Sequence, residues 1–133
     1  MIVLDTHVLL WLDRDDKALG EQSRSLIDRV WRTDRVAVNA ISFWESAMLA
    51  AKGRIELPIA AEAWRSDLLR AGIQEISLDG RLSLIAAKLR NFHKDPADRF
   101  IVATAIHHRA TLVTADADIL GWPGELNRQD ARL

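Results

Sequence analysis

The sequence predicts an α/β fold, a three-layer α/β/α sandwich around a central parallel sheet of four to five strands. Three observations predict it. A short apolar run, Ile2-Val3-Leu4, passes through Asp5 and Thr6 straight into a helical pattern, as a buried strand of a parallel sheet does. Further β-type runs then alternate with segments of helical periodicity, the arrangement of βαβ units. At 133 residues the chain is sized for one domain, residues 1–133, with one well-buried interior.

The elements run in order. Ile2 to Leu4 is the first strand, and His7 to Leu12 begins the first helix. Leu19, Ser23, Leu26, Ile27 and Val30 recur at helical spacing, which predicts an amphipathic helix over Ala18 to Arg32. Arg35 to Asn39 reads as the second strand. Ser42 to Lys52 reads as a helix with Trp44, Met48 and Ala51 on one face and Gly53 as its stop. Ile55 to Pro58 is a short connection or a stub of strand. Ala60 to Ala71 comes next as a helix, with Ala60, Ala63, Trp64 and Leu68 inward and Gly72 ending it. Ile73 to Ser77 is the third strand. Leu82, Ile85, Ala86 and Leu89 mark another helix, which frays near Asn91 to Lys94. Asp95-Pro96 opens a helix that runs to Arg109, with Pro at its first position, and is apolar almost all round. Ala110 to Thr114 is the fourth strand. Short turns with a fifth edge strand near Leu126 complete the chain.

Composition narrows the chemistry. A net charge of −1 argues against a protein that coats DNA, but not against a nuclease. There is no cysteine, so thiolate metal sites and disulfides are excluded, and any metal is held by oxygen or imidazole. No run approaches about 20 apolar residues and no basic segment leads into a long apolar one, so neither membrane spanning nor secretion is indicated and the cytoplasm is expected.

Four carboxylates stand out. Asp5 comes after the first strand, Glu45 lies in the first turn of the helix after the second, Asp98 opens the helix before the fourth, and Asp116 comes after that strand, with Asp118 close behind. Helices after parallel strands begin at the carboxyl edge of the sheet, where such folds bind ligands, so Asp5, Glu45 and Asp116 are expected to gather there. Periodicity does not bring Asp98 with them. Each acid also has a structural explanation. Ser42 to Glu45 matches a capping box, Asp95 to Asp98 nearly does, and Asp5 and Asp116 are each placed to cap the next helical turn. A cap needs only one oxygen, however, and clustered anionic caps repel one another. The cluster becomes comfortable around a hard cation, Mg²⁺ or Mn²⁺.

The runs I-V-L-D-T-H-V-L-L-W-L (Ile2 to Leu12), I-S-F-W-E-S-A (Ile41 to Ala47) with K-G-R (Lys52 to Arg54), H-K-D-P-A-D-R-F-I-V-A-T-A (His93 to Ala105) and L-V-T-A-D (Leu112 to Asp116) together resemble PIN-domain endoribonucleases of the VapC toxin group. The resemblance covers nearly the whole chain. It implies strand order 3-2-1-4-5, which sets Asp5 beside Asp116, and it implies that Asp98 joins the cluster. It also implies a metal-dependent endoribonuclease toxin that hydrolyses RNA phosphodiester bonds, a cognate antitoxin that holds it inactive, and a homodimer. Asp5, Glu45, Asp98 and Asp116 are then the catalytic and metal-binding residues, with Asp118 able to replace or assist Asp116. Asp5 is the central ligand and Glu45 a ligand or base acting through water, in a reaction where the ion activates water against the phosphodiester. Thr6 and Thr114 flank the cluster as auxiliary residues that position that water, and Asp95 is a cap.

Arg54, Lys52, Lys94 and Arg99 are candidate phosphate contacts, of which Arg99 is the strongest. Among the histidines, His93 lies near the site, His7 is two residues after Asp5, and His107 and His108 point apart on their helix. Trp44 and Trp64 fit core positions, and Trp11 and Trp31 are candidates to line a groove for the antitoxin. Two alternatives have sequence objections. A haloacid-dehalogenase-like phosphohydrolase needs a second Asp two residues after Asp5, where this chain has His7. A non-catalytic PIN-like binding module has no need of all four carboxylates.

Overall fold

A three-residue strand is stable at the centre of a sheet only if both of its faces are covered. The computed structural model describes residues Met1–Leu133 and gives β1 (Ile2–Leu4) that position. With β2 (Val36–Asn39), β3 (Gln74–Ile76), β4 (Thr111–Thr114) and β5 (Arg128–Asp130) it forms one sheet in the order β3-β2-β1-β4-β5. All four pairings are parallel, as the fold class required. The helices are α1 (Thr6–Asp13), α2 (Glu21–Thr33), α3 (Ile41–Ala51), α4 (Ala61–Ala71), α5 (Gly80–Ala87), α6 (Pro96–His108) and α7 (Ala117–Leu120). None is long and apolar enough to cross a membrane.

Alternation along β1 divides the interior in two. Ile2 and Leu4 face a core with Val8, Leu9, Ile27, Trp64 and Leu68, which belongs to α1, α2 and α4. Val3 faces the other core, with Ile101, Val102 and Ala105 of α6, Ile119 of α7 and Trp122. These are the outer layers of the sandwich.

Several boundaries differ from expectation for identifiable reasons. The second helix starts at Glu21 rather than Ala18, because Gly20 lies against the chain's last residues and donates to Ala131 O at 2.8 Å. A Cβ on Gly20 would fall 2.2 Å from the Leu133 carbonyl. Ile55 to Pro58 forms no strand, Leu89 lies beyond α5, and the fifth strand is Arg128–Asp130 rather than around Leu126. The helical turn α7 is too short to show a periodicity in the sequence.

Trp44 is not a core residue: it is 54% exposed. The buried positions of α3 are Ser42 and Ser46, small residues that let the helix approach its neighbours closely, while Met48 is half-buried and Ala51 exposed. On α4, Trp64 and Leu68 point inward as expected, but Ala60 and Ala63 are exposed.

Asn39 fixes the position of α6 on the sheet. At the end of β2 it is fully buried; its Nδ2 donates to Thr104 Oγ1 at 2.9 Å, and its Oδ1 accepts from Ile41 N at 2.8 Å. Asn39→Ala leaves both partners short of a bond in a dry interior and is expected to lower the unfolding free energy by about 2 kcal/mol, read from urea denaturation followed by circular dichroism.

Candidate active site

The carboxyl edge of the sheet opens into a cavity of about 480 Å³ lined by Asp5, His7, Trp11, Glu45, Asp95, Asp98, Ala115, Asp116, Ala117 and Arg132. All four acids expected to cluster are therefore in one place. Asp5 and Asp116 arrive because β1 and β4 are neighbours, with Leu4 opposite Val113 and Asp5 N donating to Val113 O at 3.0 Å. Asp98 arrives for a reason that also needs only topology. The helix that feeds a parallel strand must end at that strand's amino end. At 13 residues, α6 is about 20 Å long, so its first turn lies at the opposite, carboxyl edge.

Two threonines hold the acids from behind. Asp5 Oδ1 accepts from Thr6 N at 2.8 Å, and Oδ2 accepts from Thr114 Oγ1 at 2.6 Å. Thr6 Oγ1 lies 2.5 Å from Glu45 Oε1 and 2.9 Å from Ser42 Oγ. Its single proton goes to the carboxylate, so the Ser42 hydroxyl donates to Thr6. Both threonines are fully buried, and their partners are carboxylates, so they orient acids rather than water.

Capping accounts for Asp5, which caps α1, and for Asp116, which caps α7, but not for Glu45 or Asp98. The cap of α3 is Ala40, so Ser42 and Glu45 lie inside the helix and no capping box forms; Glu45 sits two residues deeper than expected. Asp95 caps α6 by accepting from Asp98 N at 3.2 Å, as expected. Asp98 does not return the bond, because Asp95 N donates to His93 Nδ1 instead. Asp116 Oδ1 caps α7 through Ile119 N at 3.0 Å.

Burial and mutual repulsion act on these groups together. Burial raises Asp5 above the usual carboxylate range, against the lowering effect of its Thr114 bond. Glu45 is also raised, first by burial and then by the charges of Asp5 and Asp95, with the Thr6 bond opposing. Asp98 is pushed from an ordinary 3.8 up to about 8, by burial first and then by the charges of Asp5, Asp95, Asp116 and Glu45. One ligand atom each from His93, Asp98 and Asp116 lies within 4.8 Å of the others.

The other expected site residues are distributed differently. Asp118 faces a neighbouring cavity with Asn91, Phe92, His93 and Trp122, so the acidic cavity contains Asp116 alone of the two. Arg99 is no phosphate contact: its guanidinium donates to the carbonyls of Ala86, Leu89, Phe92 and His93 at 2.9 to 3.3 Å. Lys94, Arg54 and Lys52 are exposed and outside the cavity lining. The rings of His107 and His108 do not point apart but meet edge-to-face, 5.0 Å between centroids, at the far end of α6. Trp11 and Trp31 share no groove. Trp11 lies in the acidic cavity and Trp31 over Gly72.

Arg132 joins the site without any signal in the sequence. It lines the cavity, donates to Ala115 O at 2.7 Å, and lies over the Trp11 ring at 5.6 Å. No local pattern marks it, since a cavity residue beyond the fifth strand depends on that strand's pairing with β4.

A family-wide sequence pattern described as PIN domain matches residues 2–121. The chain belongs to the PIN-domain family. Ribonuclease VapC22 of Mycobacterium tuberculosis (strain ATCC 25618 / H37Rv) is 35% identical over 116 residues, 86% of each chain. Two solved structures share the PIN fold at low identity. VapBC2 from Rickettsia felis, bound to a promoter DNA fragment, has a TM-score of 0.71 and 17% identity over 97% of this chain and 98% of that one. VapBC-1 from nontypeable Haemophilus influenzae has 0.69 and 19% over 98% of each.

The raised acids give a signed pH dependence. Protons bind Asp98 more tightly in the folded PIN domain than in the unfolded chain, so its contribution to stability is full below about 4 and falls as pH rises towards about 8. In chelator-treated protein, the melting-temperature advantage of Asp98→Asn over the wild type is expected to grow steadily across that window.

Proposed function

We propose that this PIN-domain chain is a metal-dependent ribonuclease that hydrolyses RNA phosphodiester bonds, with Asp5, Glu45, Asp98 and Asp116 as its catalytic carboxylates. Family membership and identity to a named ribonuclease support the nuclease reading. The observation that carries the site is the convergence of four carboxylates from separate segments in one cavity. Chains of the same fold come from a complex described as toxin–antitoxin, and on that ground the reading extends to a toxin restrained by an antitoxin partner.

The donor set fits a hard divalent cation. Its ligands are oxygens, and burial, reinforced by the neighbouring carboxylates, holds Asp98 protonated near neutral pH when no positive charge sits among them. Asp5, Asp98 and Asp116, with Glu45, would hold Mg²⁺ or Mn²⁺. Such an ion supplies positive charge that stabilises the phosphoryl transition state and makes water a stronger acid. The chain's own groups do the rest. Asp5 is pinned at both oxygens, by Thr6 N and the Thr114 hydroxyl, so its remaining lone pairs keep a fixed direction. Glu45 is tied at Oε1 to Thr6, leaving Oε2 to accept a proton from the attacking water. Arg132, seated on Trp11, and the exposed His7 form the rim that meets the RNA phosphates.

Two outcomes are expected. Asp5→Asn lowers Mn²⁺-dependent cleavage of a defined RNA by at least about 100-fold; cleavage at the wild-type rate would refute the assignment. Arg132→Ala raises KM for RNA by roughly tenfold and leaves the Mn²⁺ midpoint of thermal stabilisation unchanged.

A further inference from the structure

His93 stands between two claims on Asp98. In a capping box, the acid three residues after the cap accepts the cap's own N–H. In α6 that acid is Asp98 and the cap is Asp95, yet the Asp95 N–H goes to His93 Nδ1 at 3.4 Å. A helix that could have claimed the Asp98 carboxylate therefore does not.

The same ring meets that carboxylate from its other side. An Nδ1 that accepts a bond leaves the proton of a neutral imidazole on Nε2. Nε2 is sealed from solvent and makes no aligned hydrogen bond, but it lies 3.1 Å from Asp98 Oδ2. A protonated Nε2 has no lone pair for a metal, so the closeness of His93, Asp98 and Asp116 is not a three-ligand site in this tautomer.

The ring is itself held. It lies against Phe92 with centroids 4.6 Å apart, and the His93 carbonyl accepts from Arg99 Nε at 3.0 Å. Arg99 thus clamps the segment that carries His93 from the residue next to Asp98.

We propose that His93 is the positioning residue for Asp98: it accepts the capping N–H in place of that carboxylate and holds Oδ2, presenting the other oxygen to the cation. The proposal rests on the metal-dependent reading above. Partners that orient ligands in this way change metal affinity by about 10- to 100-fold when removed.

The test is MnCl₂ titration of the chelator-stripped full chain, followed by melting temperature, for the wild type, His93→Leu and His93→Gln. His93→Leu is expected to raise the Mn²⁺ concentration for half-maximal stabilisation about tenfold or more. Its metal-free melting temperature is expected to stay near the wild type's, because Asp98 then caps α6. His93→Gln keeps a donor for Oδ2 and is expected within about threefold of the wild type. An unchanged Mn²⁺ midpoint in His93→Leu overturns the proposal. So does a His93→Leu chain that is unfolded without metal, since Asp98 has then not taken over the cap. Equal losses in Leu and Gln overturn it in favour of His93 as a direct ligand. A wild-type chain with no response to Mn²⁺ overturns instead the metal reading beneath it, which parallel RNA cleavage assays distinguish.

Discussion

Carboxylates held together in a partly dry cavity resist ionising together, and the energy of that repulsion is relieved in only two ways, by protons or by a cation. Asp98, the acid subject to the most like-charge neighbours, answers with protons when nothing else is offered. The surroundings keep this demand unmet. Asp5 and Glu45 receive hydroxyls and a backbone N–H, which orient them without neutralising them. The one arginine in the lining is tied to a carbonyl and a tryptophan. A cavity so built is stable enough to fold and still short of positive charge, which is the condition under which a divalent ion binds with folding-linked energy.

Two further arginines, Arg99 and Arg128, spend their charge on the backbone. Arg99 is next to Asp98 in sequence, but its fork grips four carbonyls of the segment between α5 and α6. Arg128 does the same for the turn after α7, reaching carbonyls of Ile119, Leu120, Trp122, Gly124 and Leu126. Both segments lack a ladder to satisfy their carbonyls, and a planar five-donor group satisfies several at once where a lysine could not. For Arg99, charge that looks in sequence like phosphate-binding potential is thereby committed to the backbone.

Legibility in the sequence tracks how local each interaction is. Strands one to four, six of the seven helices and the positions of Asp5 and Asp116 are legible because each depends on a local apolar pattern and the residues that end it. The strand order rests on resemblance. Asp98 is stranded when only helices that come after strands are traced; a helix feeding β4 obeys the same topology read backwards. Trp44 misleads because bulk is an unreliable sign of burial, whereas Ser42 and Ser46 occupy the tight face of α3. Arg132 and the β5 register are out of reach, since both depend on pairings between residues distant in the chain.

Each acid of the cavity has a plausible helical duty, and the way each is released from it determines what it can offer. Asp116 caps α7 with one oxygen and keeps the other. Asp5 bonds the first N–H of α1 and a threonine, so both oxygens are fixed but neither is saturated. Glu45 is freed because Asn39 meets the first N–H of α3 from outside the helix. Asp98 is freed because Asp95 and His93 divide the capping of α6 between them. Capping and coordination are therefore not rival accounts of these residues. The helix termini set the direction of the carboxylates, and the atoms they leave unbonded are the ones a cation can use.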